Sequence, residues 1–89
     1  MKYIMFKRQL ESGITQKLPV LFPSELVHAD MAKAVLALDG MEKAEAVSAG
    51  EWSPIGGCSG RSETLKLKSH ISDTAIIVMH DYYHGFDCS

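Results

Sequence analysis

The stretch Gly56-Gly57-Cys58-Ser59-Gly60-Arg61-Ser62 is the part of this chain best equipped for chemistry. Glycines let successive backbone N–H groups converge, and a guanidinium stands beside them, as in the nests and glycine-rich loops that hold anions. Gly57, Gly60, Arg61 and Ser62 are therefore candidate binding residues for a small anion or a nucleotide. The specific templates are not met. A P-loop aligned on Gly60 and Ser62 needs glycine and lysine where the chain has Ile55 and Arg61. A Rossmann fingerprint needs a helix directly afterwards, where the pattern reads as a strand. A cysteine-phosphatase loop needs arginine six residues beyond Cys58, and that position is Thr64.

A second candidate is metal ligation by His80 and His84, which share one face if their segment is helical, with Asp81, Asp87 and Cys88 nearby as further ligands for zinc. The set lacks the HExxH glutamate, a CxxC pair or a clear third ligand. The plain alternative is two histidines near a helix C-terminus, where the dipole favours their protonated forms. Cys58 beside Arg61 is a nucleophile without an identified base. Asp30, Glu42, Glu45, Glu51, Glu63 and Asp73 supply no pair in an apolar setting for acid–base work. No catalytic residue and no cofactor is therefore expected. His28, on a line with Ala32 and Leu36, reads as a structural polar link near Asp30.

Positioning these residues requires a small α+β fold. Lys2 to Arg8 is a strand apolar on both faces, and Ile14 to Phe22 resumes the alternation after Gly13, which predicts an antiparallel hairpin over 2–22. Pro19 cannot donate to a ladder, so its strand belongs at a sheet edge or carries a bulge there. Val27, Met31, Ala34, Val35 and Leu38 fall on one face of a central helix over 27–38, with Ser24 and Glu25 at its start and Gly40 after its end. Ala44 to Trp52 is a third strand, with Ala44, Ala46 and Ser48 set against Glu45, Val47 and Ala49. Ser53 to Ser62 is a loop. Leu65 and Leu67 alternate with Lys66 and Lys68 as a fourth strand whose leucine face meets the core. Thr74 to His84 reads two ways: TAIIV has strand propensity, while Ser72, Asp73 and Gly85 frame a helix with Ile76, Met79, Tyr83 and Phe86 on one face, and the helix is the reading taken here. The expected architecture is an antiparallel sheet, the hairpin plus two strands, with two helices packed on one face.

Composition narrows the function. Eighty-nine residues, 46% hydrophobic and 22% charged, suit one domain over 1–89 with a modest core. A net charge of -2 makes nucleic-acid binding unlikely, Arg61, Lys66 and Lys68 forming the nearest thing to a basic patch. The N-terminal apolar run is too short for a signal peptide or membrane span, which points to the cytoplasm and to Cys58 and Cys88 as free thiols. A first strand apolar on both faces, with a Pro19 edge, predicts a homodimer or other homo-oligomer.

Read together, LVHAD at 26–30, VSAGE at 47–51, GRSETL at 60–65 and MHDYYHG at 79–85 resemble blocks of a group of small proteins encoded by tailed bacteriophages and prophages. The resemblance implies an accessory protein in a bacterial cytoplasm and transfers no catalytic residue. The expected function is non-enzymatic binding of a host or phage macromolecule; the alternative is binding of a small anion or nucleotide by the loop 56–62.

Overall fold

The computed structural model describes the backbone of residues 1–87 and the side chains of residues 1–80. β1 (Lys2–Gln9) and β2 (Thr15–Phe22) form the expected hairpin, paired from Lys2 with Phe22 to Gln9 with Thr15. Gly13 takes φ +87°, where a side chain would be strained, and its N–H donates to Leu10 O at 2.9 Å. β3 (Glu45–Ser53) pairs antiparallel with the other side of β1, and β4 (Gly57–Ser59) pairs with Glu51–Ser53 at the end of β3. The sheet order β2-β1-β3-β4 puts the Pro19 strand at an edge, as its missing N–H requires. β5 (Arg61–Ser62) and β6 (Leu67–Lys68) make a separate two-stranded ladder.

The class is α+β, a four-stranded antiparallel sheet with two helices, α1 (His28–Leu36) and α2 (Asp73–Asp87). The helices divide between the two faces of the sheet rather than sharing one. The cause lies in β1, whose Tyr3, Ile4, Met5 and Phe6 are all fully buried. Alternation sends Ile4 and Phe6 to one side, where Ala32 and Val35 of α1 cover them, and Tyr3 and Met5 to the other, where Ile77 of α2 does. Each apolar face is covered within the chain, so the apolarity of β1 no longer argues for a partner copy.

α1 is shorter than the 27–38 expected and turned by about one residue, roughly 100° of helix rotation. It buries His28, Ala32 and Val35 and half-buries Met31 and Leu36, while Val27 and Leu38 of the expected stripe are exposed. The turning residue is His28. Its Nε2 lies 3.0 Å from Gly50 O, and since a carbonyl only accepts, Nε2 donates. Its ring meets Phe22 edge-on, with centroids 5.3 Å apart. His28 is thus a structural link, to Gly50 rather than to the Asp30 region. Ser24 does not cap the helix, because Pro23 to Leu26 forms its own turn; the Ala29 N–H is met instead by Thr64 Oγ1, at 3.2 Å, from the turn after β5. The helix stops at Leu36, so Gly40, at φ +87°, serves a later turn.

The segment after Ser72 is helical as expected and runs past Gly85 to Asp87. Among its described residues Asp73 and Ile77 are buried, Ile76 is half-buried and Met79 is exposed; the side chains of Tyr83 and Phe86 lie outside the described residues. The stretch read as a loop over 53–62 carries β4 and β5, and the strand read over 65–68 is a turn followed by the two residues of β6. Leu65 and Leu67 do pack on the core.

Candidate functional site

β3 contains a bulge, and the bulge builds the site. Met5 pairs with Ser48 but Phe6 pairs with Ala46, leaving Val47 as the extra residue. Simple alternation groups Ser48 with Ala46; the bulge instead brings Val47 and Ser48 onto the Met5 face and leaves Ala46 and Ala49 with Ile4 and Phe6. On the N-terminal side of Glu51, β4 no longer flanks β3, and the β5–β6 hairpin lies alongside. Between them is an open groove of about 650 Å³, lined by Val47, Ser48, Arg61, Ser62, Glu63, Lys66, Leu67, Lys68, Ser69 and His70.

Its rim is cationic. Arg61 stands directly opposite Lys68 in the ladder, a like-charge cross-strand pair that destabilises a hairpin unless an anion lies between. Lys66 has φ +56°, the left-handed region that side chains rarely adopt. Glu63 is the counter-ion at hand, its Oε1 3.2 Å from Arg61 Nε, but both side chains are over 70% exposed and the pair is strongly screened. At the bottom is Ser48, 3% exposed, whose Oγ has no hydrogen-bond partner among the described residues. A buried hydroxyl left unpaired costs about 1–3 kcal/mol. His70 Nδ1 accepts the Ser72 N–H at 3.1 Å, so a neutral ring carries its proton on Nε2.

Of the four residues read as an anion loop, Arg61 and Ser62 line the groove and the two glycines do not. Gly57, at φ +71°, is packed so closely on Thr74 that a Cβ would approach Thr74 Oγ1 to 2.8 Å. Gly60, at φ +74°, makes the kink between β4 and β5, with its carbonyl accepting the Ser69 N–H. The Ser62 hydroxyl is engaged in the hairpin turn, where it accepts the Leu65 N–H at 3.1 Å. Lys66 and Lys68 were visible as a small patch, but Ser48 and His70 carry no local signal.

A separate polar cluster lies under α2. Asp73, fully buried, accepts the Tyr3 hydroxyl and the His70 N–H on Oδ2, at 2.6 and 2.9 Å. Its Oδ1 finds no partner among the described residues. Cys58 sits beside this cluster, with its N–H on Thr74 Oγ1. Burial pushes the Cys58 thiol up despite its bonds to Thr74 and Tyr3, which is the opposite of the lowering by Arg61 that a nucleophile needs. His80 is half-buried on α2, and the side chain of His84 lies outside the described residues, as do Asp81, Asp87 and Cys88. Among the described residues no group of three His, Cys, Asp or Glu could hold a metal ion, and no helix is long and apolar enough to cross a membrane.

Comparison with known protein families, with curated proteins and with solved structures finds no match. The reading of the groove therefore rests on its own geometry.

Proposed function

We propose that this chain is a non-enzymatic binding protein that holds a small anion in the groove between β3 and the β5–β6 hairpin. The observation that carries the reading is a rim of three cations, Arg61, Lys66 and Lys68, above the buried and unpartnered Ser48 hydroxyl, in a chain whose net charge is -2. Binding rather than turnover is favoured because Ser48 has no base within hydrogen-bond reach among the described residues and His70 Nδ1 is engaged with Ser72. The blocks that resemble bacteriophage proteins are what supports reading this activity as that of an accessory factor in a bacterial cytoplasm. Calorimetry against inorganic phosphate, nucleotides and carboxylates tests it. Wild-type chain should release heat with at least one anion, and Arg61→Ala should weaken that binding by about tenfold, the worth of one charge-assisted hydrogen bond. Equal affinity in the two proteins would defeat the reading.

A second reading, contact with a host or phage protein or with another copy of the chain, is favoured by a different surface. Ala75, Val78 and Met79, three and four apart along α2, form an exposed apolar stripe that Ile71 extends from the turn before the helix. Two of them, Ile71 and Met79, are 96% and 60% exposed.

A further inference from the structure

We infer that the group recognised in the groove is a phosphate dianion carried by a small phosphomonoester, with Ser48 as the donor at the bottom and Glu63 as a built-in competitor for Arg61. This rests on the anion-binding reading above and narrows it. Charge comes first. Three cations against Glu63 leave a rim of +2, and a phosphomonoester carries about -1.5 to -2 near neutral pH, whereas a single carboxylate leaves one cation uncompensated.

Donor geometry points the same way. Planar carboxylates are best matched by an arginine fork, and here the Nε edge of Arg61 already faces Glu63. The other donors, two ammonium groups at the rim and a hydroxyl at the bottom, impose no common plane. Donors spread around a concavity suit a tetrahedral group whose oxygens point apart. The Ser48 hydroxyl is the interior element of this arrangement. Left unpaired it lowers stability, and a phosphate oxygen accepting from it removes that cost. Val47 and Leu67 offer apolar surface to a short aliphatic body. Among the described residues lining the groove the surfaces that could stack on a nucleobase are only those of His70 and Arg61, with no Phe, Tyr or Trp, which favours a small ester over a nucleotide.

The test is titration calorimetry on the full chain with inorganic phosphate, glycerol 3-phosphate, succinate and a phosphoserine peptide, together with thermal melts. Glycerol 3-phosphate should bind at least about tenfold tighter than succinate, a dianion of planar carboxylates. Ser48→Ala should weaken the phosphate ester by about tenfold while melting at the same or a higher temperature, since it removes an unpaired buried hydroxyl. Glu63→Gln, a change on an exposed side chain, should tighten it by about two- to fivefold. Succinate binding as well as the ester would overturn the phosphate assignment, and Ser48→Ala and Glu63→Gln both leaving affinity unchanged would overturn the residue roles. In either case the anion-binding reading would stand, because wild type still bound. Tighter binding of the phosphoserine peptide than of the small ester would replace the small ligand with a modified protein segment. If no probe bound to wild type or to Glu63→Gln, the anion-binding reading itself would fall.

Discussion

Tyr3 is the residue whose chemistry most constrains this chain. It is fully buried on β1, and its hydroxyl donates to Asp73 Oδ2 across 70 positions of sequence. Burial, then the bond to Asp73 and that group's negative charge, hold the phenol far above the ordinary tyrosine range. The folded chain therefore keeps a proton that the unfolded chain loses above about pH 10, so the stabilisation is complete below that pH and declines as pH rises beyond it. Tyr3→Phe should cost about 1.5–3 kcal/mol at neutral pH, the worth of a hydrogen bond to a charged group. By urea denaturation the difference between Tyr3→Phe and wild type should narrow above about pH 10. A constant difference up to about pH 11 would show that the phenol ionises as easily folded as unfolded.

At the scale of elements, the critical crossing is where the chain leaving β4 passes β3 at Gly50. A Cβ at position 50 would press on the Ser59 carbonyl oxygen and the Gly60 backbone, so alanine there forces the start of β5 away from β3. Gly50 also accepts the bond from His28, which sets the rotation of α1. Gly50→Ala should therefore destabilise by at least about 1–3 kcal/mol, the usual cost of overpacking, and should weaken anion binding with it because β5 carries Arg61. A thermal melt unchanged within error would mean that the crossing is looser than its geometry. Thr64 makes the complementary link, reaching from the hairpin turn to the Ala29 N–H, so that α1 and the groove wall share a support.

For the molecule as a whole, two surfaces among the described residues stand apart from the ordinary polar exterior: the cationic groove and the apolar stripe on α2. The stripe remains available because α2 buries Ile77 and half of Ile76 on the sheet and turns Ala75, Val78 and Met79 outward. Proteins of this size rarely leave such a row uncovered without a use for it. If the stripe is a self-contact, light scattering at tens of micromolar should give a mass above the 9.8 kDa monomer, and Val78→Asp with Met79→Asp should return it to 9.8 kDa. Wild type at monomer mass would leave the stripe to a different protein.

Features that depend on neighbours along the chain were legible in the residues alone. The hairpin over 2–22 followed from period-two alternation around Gly13, the edge position of β2 from the N–H that Pro19 lacks, and the helical state of α2 from its end signals. The inward face of Leu65 and Leu67 was legible for the same reason. Features that depend on distant partners emerged only with the folded chain. His28 counts as polar in any periodicity, yet a carbonyl 22 residues away turns it inward and rotates α1 with it. Asp73 reads as an ordinary first-turn acid until Tyr3 buries it. The two helices take opposite faces because β1 presents two apolar sides, each needing a cover that local pattern does not name. The groove depends on a bulge at Val47 that alternation cannot foresee and on a hairpin joined to β3 only through the fold; this is why Arg61 was found and Ser48 was not.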